Sequence, residues 1–292
     1  MFIIFKCYLI SFLIIFIRFI LFYKHVIFIF NIDLMNYIIK NTAVYFRIVL
    51  MLAFLGHALV NLGFSPSIAL HKNIILSVFP QIENIDIFLQ VLTIIEVVFA
   101  VVLLFNILPR LFLILALIYL SFIGIAGWIF YFDQSGSVFG FAEIMRRFPW
   151  LFFILFLLFI EFKGSNKYHL LRIGISFAFL SHGTASLGLM GLNQGHIELA
   201  VQIVPEQHVR DFVFYTGLSD MILGVLLFTG ILSRYAAFIG SAWLIVVVGV
   251  SFAFAFPDGI FRAGFLMACI YVILDQRCHH QKIFKLFLNE KH

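Results

Sequence analysis

From residue 43 onward the chain is a succession of apolar stretches, at 43–64, 86–108, 111–132, 147–162, 172–192, 212–232, 235–256 and 260–275. A helix rises about 1.5 Å per residue, so stretches near 20 residues match a hydrocarbon layer about 30 Å thick. In lipid every backbone N–H and C=O must be paired within the protein, and apolar runs this long meet that demand as helices. Composition agrees: 64% of the 292 residues are hydrophobic, 40 are phenylalanine, and 11% are charged, against about 25% charged in a soluble domain. A soluble enzyme, a nucleic-acid binder and a disordered chain are excluded. The fold class is all-α, a polytopic helical membrane protein with eight transmembrane helices.

The joints carry stop signals at Asn106 to Arg110 around Pro109, at Lys163 to Tyr168, at Ser233-Arg234, and at the acidic turns Asp133 and Pro257-Asp258. Lys40, Arg47, Arg110, Lys163, Lys167, Arg172, Arg234, Arg277, Lys282 and Lys285 all fall on one side of such a bundle. The positive-inside rule makes that side cytoplasmic, with the basic tail 277–292 inside and the protein in the plasma or inner membrane. The net charge of +5 belongs to these loops. Glu83, Asp86, Asp133, Glu143, Glu198, Glu206, Asp211 and Asp258 collect on the other side, where the connections 65–85 and 193–211 are expected to form interfacial caps. Residues 1–34 are apolar but interrupted by Lys6 and Arg18. They read either as an extra N-terminal helix or as the result of a start assigned upstream of Met35. Cys7, Cys269 and Cys278 show no Cys-x-x-Cys spacing, which argues against a thiol relay within the chain.

Self-comparison exposes a repeat. Arg47-Ile48, Ala53-Phe54-Leu55, His57 and Leu62-Gly63 recur 125 residues later as Arg172-Ile173, Ala178-Phe179-Leu180, His182 and Leu187-Gly188. The same offset carries His71 to His196, Pro80 to Pro205 and Asp133 to Asp258, while an offset of 124 carries Glu96 to Asp220 and Arg110 to Arg234. Matches among rare polar residues point to a tandem duplication of a four-helix unit, over 43–162 and 170–276. Four helices being an even number, the two repeats lie parallel in the membrane.

Each half resembles the DoxX/DoxD-like membrane unit: Arg172 with Ser181-His182-Gly183, then Asp220 with Gly224, Gly230 and Arg234, follow its pattern. The first half departs from it at Ala58, Ala100 and Asn106. The resemblance implies a four-helix bundle fold and, from the family's named members, a membrane subunit tied to quinone or quinol redox chemistry with a membrane or peripheral redox partner. Fold transfers more safely than function.

His57 and Glu96 each lie about ten residues into a span, from opposite ends, and so do His182 and Asp220. An ionisable group near the bilayer centre costs about 2.5–3.5 kcal/mol, so it faces the bundle interior and takes a partner. The expected pair in each half is histidine with carboxylate. It either moves protons and hydrogen-bonds a quinone, since histidine titrates near neutral pH, or simply holds two helices together, worth about 0.6–2 kcal/mol. His71 and His196 bring the repeated histidines to four, yet a spacing of 14 is no local metal motif, and neither metal nor haem is expected. Arg147 and Arg262 lie at the outer side against the charge trend and either pair with Asp133 and Asp258 or face an anionic ligand, the salt bridge being favoured. Arg47, Arg110, Arg172 and Arg234 read as snorkelling to lipid headgroups.

No phosphate-binding loop, dinucleotide fingerprint or nucleophile elbow is present. Three functions remain: a quinone-linked redox subunit using His57, Glu96, His182 and Asp220; a non-catalytic assembly or partner subunit; and a proton-coupled small-solute transporter. The last lacks helices broken at matching depth in both halves.

Overall fold

The computed structural model describes residues 32–136, 138–162, 167–189 and 194–279. The segment before residue 32, with Cys7, the joint 163–166, residues 190–193 and the basic tail beyond 279 lie outside these residues. The chain divides into two units, Met1–Thr42 and Ala43–His292. In the first, helix α1 (Ile32–Lys40) ends at Asn41, whose backbone and side-chain N–H groups both donate to Tyr37 O at 2.9 Å.

The second unit begins with α2 (Thr42–Leu59), prolonged by a wide π turn over Val60–Phe64, and continues through α3 (Ile68–Val78), α4 (Ile85–Leu104) and α5 (Pro109–Ser135). There follow α6 (Phe141–Met145), α7 (Phe148–Phe159), α8 (Lys167–Ser186), α9 (Gln194–Val201), α10 (Val209–Thr229), α11 (Ser233–Phe254) and α12 (Phe256–Leu274). Ile94, Ile118, Tyr215 and Ile245 stand exposed on the flanks of α4, α5, α10 and α11, as lipid-facing residues do. The chain is an integral membrane protein, and these flanks meet the bilayer.

Six helices among the described residues are long and apolar enough to cross a membrane, against the eight expected from the sequence. The difference has two physical causes. The stretch 147–162 yields only the 12 residues of α7, opened by Pro149 in its first turn, which reach about 18 Å. The stretch 172–192 yields α8, which has 20 residues but carries His169, Arg172, Ser176, Ser181 and Thr184, all buried. α8 is enclosed by α7, α10 and α12, so its polar side chains are shielded from lipid by protein. Mean hydropathy underrates a helix of this kind.

Arg172 shows how a guanidinium is held there. It is 0% exposed and does not snorkel, contrary to the sequence expectation. Its Nε donates to Cys278 O at 3.1 Å and its Nη1 donates to Leu227 O and, at 2.9 Å, to Phe228 O. It thus donates to the last carbonyls of α10, of which Leu227 O also accepts from Gly230 N at 3.3 Å, and a cation there is favoured by the helix dipole. Gly230 ends that helix at φ 78°, and a Cβ there would lie 3.0 Å from Arg172 Nη1. Further along, α8 and α10 touch through Gly183 and Gly217: a Cβ on Gly183 would stand 2.8 Å from Gly217 O. Small residues at such a contact let two backbones approach closely.

The joints before α5 and α11 are built alike. Leu108 (φ 42°) and Leu232 (φ 51°) both adopt the left-handed region, an unusual conformation for a non-glycine residue, and they are 124 positions apart. Beyond α12, Asp275 accepts from Arg277 Nη2 at 2.7 Å and Tyr271 OH at 2.5 Å, while the Arg277 guanidinium lies 3.8 Å from the Tyr168 ring centroid.

Replacing Arg172 with leucine strips donors from three carbonyls. Each buried group left unpaired costs about 1–3 kcal/mol, so a thermal unfolding scan of Arg172→Leu in detergent is expected to show a lower midpoint, with the drop much smaller for Arg47→Leu. A second expectation concerns Asp275. Burial raises its carboxyl, but the bonds from Arg277 and Tyr271 outweigh burial and hold it below the usual carboxylate range. The folded protein keeps it ionised to lower pH than the unfolded chain does, so its contribution is complete at neutral pH and is lost as pH falls below about 3.9. The stability gap between the native protein and Asp275→Asn, measured by thermal unfolding, should be full at pH 7 and shrink at pH 3.

Candidate functional site

Two polar centres lie in the second unit, one in each half of the sequence. In the first, Glu96 of α4 is 1% exposed and its carboxylate is ringed by partners. His57 Nδ1 lies 3.0 Å from Oε1, Tyr119 OH donates to Oε1 at 2.6 Å, and Asn61 Nδ2 donates to Oε2 at 2.9 Å. Asn61 Oδ1 in turn meets His71 Nδ1 at 2.7 Å, and the rings of His57 and His71 stack with centroids 4.6 Å apart. The π turn of Val60–Phe64 begins just before Asn61, at the point where α2 supplies both His57 and Asn61. Wide turns of this kind recur at functional positions in helices. Trp150 and Phe261 close the space around His57, their rings 4.9 Å apart. The remaining void is about 340 Å³ with its mouth included.

The second centre repeats some of this geometry and drops the rest. His182 and His196 stack with centroids 5.3 Å apart and planes 5° from parallel, and Ser186 Oγ meets His196 Nδ1 at 2.7 Å, as Asn61 meets His71. Asp220 of α10 is 5% exposed, yet among the described residues it hydrogen-bonds neither His182 nor any other side chain. Both line a cavity of about 910 Å³, mouth included, walled by Ile175, Phe179, Phe212, Trp243, Leu244, Val247 and Phe265. The structure therefore brings His57 and Glu96 together and leaves His182 and Asp220 apart across a common space.

Residue chemistry explains the contrast. Asp220 is one methylene shorter than Glu96, Ser186 stands where an offset of 125 places Asn61, and Trp243, with no hydroxyl, stands where an offset of 124 places Tyr119. Each change withdraws a partner from the carboxylate. A third offset, of 115, aligns Arg147-Phe148-Pro149-Trp150 with Arg262-Ala263-Gly264-Phe265, which puts the smaller Phe265 where Trp150 fills the first void. Phe261, which closes the first void against His57 at 5.9 Å, then corresponds to Arg146.

Arg147 and Arg262 each line the void of their own half. The expected salt bridges to Asp133 and Asp258 do not form. Arg147 Nη2 pairs instead with Glu143 Oε1 at 3.3 Å, and Arg146 Nη1 pairs with Glu143 Oε2 at 2.8 Å, because the helical spacing of α6 puts this acid directly beneath both. Asp258 is drawn away by Ser65 and Ser67, whose hydroxyls donate to its Oδ2 at 2.9 and 3.4 Å. Arg262 Nη1 donates to Ser251 Oγ. No three of the described histidines, cysteines and carboxylates are grouped so as to hold a metal ion. The histidines stack face to face in pairs and do not converge on a point.

Asn61, Tyr119, Ser186 and Trp243 were not singled out by the sequence comparison. It was keyed on identical polar residues, and at these positions the two halves differ. Reading the offset at every position between the histidines and acids would have found them.

If the His57–Glu96 contact is helix glue, a double-mutant cycle with His57→Leu and Glu96→Leu, read by thermal unfolding, should give a coupling of about 0.6–2 kcal/mol. The equivalent cycle on His182 and Asp220 should give a coupling near zero.

The DoxX-like family matches residues 176–263, from the middle of α8 into the second turn of α12. The match takes in His182, His196, Asp220 and Arg262. No curated protein and no solved structure matches the chain. Over these residues, which carry most of the second cavity's lining, the chain is similar to the DoxX-like family.

Proposed function

We propose that the protein is a multi-pass subunit of the plasma or inner membrane that binds a lipid-soluble carrier, of quinone type, in the cavity of its second half. The chain is then a duplicated four-helix unit with its C-terminus in the cytoplasm. The observation that carries the reading is the placement of His182 and Asp220 on one apolar cavity without a bond between them. Ionisable groups at this depth are costly unless partnered, and in the first half the equivalent acid is fully engaged. A carrier with oxygen groups on an apolar body would supply the missing partners, and the aromatic and aliphatic walls suit its body.

In this reading His182, backed by His196 and Ser186, and Asp220 hold the carrier and pass protons to or from it. Each imidazole offers one donor and one acceptor, and Asp220 can donate when protonated. The bound carrier supplies two-electron, two-proton redox chemistry, with electrons exchanged through a partner redox subunit. His57 and Glu96 serve as the fixed counterpart. Glu96 is held by three bonds, and Phe261 and Trp150 narrow the space beside it. That same observation favours the second reading, in which the polar centres only hold helices together and the protein is an assembly or partner subunit.

Mass spectrometry of small molecules extracted from protein purified gently with its native lipids separates the two. A stoichiometric quinone, reduced about tenfold or more in His182→Ala/Asp220→Asn and retained in His57→Ala, is the expected result. Quinone-free native protein, or an unchanged content in the double variant at equal yield, would overturn the carrier reading and favour the assembly role.

A further inference from the structure

The second cavity has a guanidinium on its wall that the protein does not neutralise. Arg262 lines the void, and among the described residues its hydrogen bond is to a neutral hydroxyl, Ser251 Oγ. No described carboxylate lies within 4.0 Å of it. Asp258, an acid that acts on it electrostatically, has an oxygen engaged by Ser65 and Ser67. The other charge that falls on Arg262 is a second cation, Arg146, which shares Glu143 with Arg147. This cluster sets three guanidiniums against two carboxylates, and Asp220, the carboxylate on the cavity wall itself, makes no ion pair with Arg262, so no described acid is bonded to this guanidinium.

A cation taken out of water needs an anion or a ring of oxygen acceptors, and a single hydroxyl is not enough. The guanidinium does have acceptors to meet if the ligand brings them, because Arg presents a planar set of donors matched to carboxylate and phosphate oxygens. Val247, Val250 and Phe265 on the wall of the same cavity accept only hydrocarbon. We infer that the ligand of this cavity is an anionic amphiphile: an ionised oxygen group held by Arg262, on a hydrophobic body that fills the space between α8, α10 and α11. A long-chain carboxylate, an anionic lipid headgroup and a carrier with an ionised ring hydroxyl all have this chemistry. A wholly neutral carrier leaves Arg262 without a counter-charge. The inference rests on the cavity being a ligand site, not on the ligand being a quinone.

Trp243 on the cavity wall supplies the readout. Detergent-purified full-length protein is titrated at pH 8 with bromine-labelled hexadecanoic acid, which quenches nearby tryptophan fluorescence, and with the equally labelled hexadecanol. The native protein should bind the acid about tenfold or more tightly than the alcohol. Arg262→Gln should lose that preference while still binding the alcohol, Arg262→Lys should keep part of it, and Trp243→Phe should lose the quench in both cases. Competition by phosphatidylglycerol, with none by phosphatidylcholine, would identify a lipid headgroup as the anion source. Its failure to compete would identify a single-chain acid.

Equal affinity of the native protein for acid and alcohol would overturn the inference, and so would an acid preference that survives in Arg262→Gln. A native acid-to-alcohol ratio near one overturns the inference even if the Gln variant fails to fold, and in that case an undiminished preference in Arg262→Lys overturns it as well. A neutral short-chain quinone run in the same assay keeps the two proposals distinct. Quenching by that quinone without an acid preference sinks the anionic ligand alone, whereas no quenching by any of the three probes sinks the ligand site as well.

Discussion

A carboxylate in the middle of a bilayer has to be answered from within the bundle, because hydrocarbon offers it nothing. Glu96 and Asp220 impose this demand on the two halves of the chain, and the halves meet it differently. Around Glu96, a histidine, an asparagine and a tyrosine converge from α2 and α5, and two aromatic rings seal the surrounding space. Around Asp220 the described side chains stand back and enclose a cavity. The same constraint thus produces a closed polar knot in one place and an unfilled space in the other.

The supporting structure follows from that constraint. α8 can be the most polar of the long helices only because α7, α10 and α12 wrap it. Arg172, on this helix, is tolerable in the interior because helix ends supply carbonyls with acceptor capacity to spare, and it bonds three of them. Glu143 performs the matching task for Arg146 and Arg147. Arg262 breaks the pattern. Its one described bond is to a hydroxyl, which is why the ligand chemistry of the cavity turns on it.

The all-helical class and the positions of six long apolar helices were legible in the sequence, and the repeat drew attention to four histidines and two acids, because apolar run length and repeated rare residues are properties of the chain alone. Three features were not. The shortness of α7 depends on where Pro149 and the Arg146-Arg147 pair let a helix begin, and apolar content does not report that. The burial of Arg172 depends on a helix end arriving from more than fifty residues away, so an arginine near a predicted helix start looked like one reaching for headgroups. The difference between the two centres depends on Asn61, Tyr119, Ser186 and Trp243, whose divergence between halves hid them from a comparison seeking likeness. Asp258 was misassigned for a related reason: proximity in sequence favoured Arg262, while Ser65 and Ser67, remote in sequence, take its oxygen.

The glycine contact between α8 and α10 has a consequence for how such a cavity could be remodelled. Any side chain larger than hydrogen would collide with the facing backbone at Gly183 and with Ser186 Cβ at Gly217, so the seam between these two helices has a fixed width. The cavity cannot be made wider or narrower by moving these two backbones apart. Its calibre is left to the side chains that line it, Phe179 on α8, Phe212 on α10, and Trp243, Leu244, Val247 and Val250 along α11. Changes of ligand size in proteins built on this plan would then be written in those side chains, while the glycine seam stayed constant.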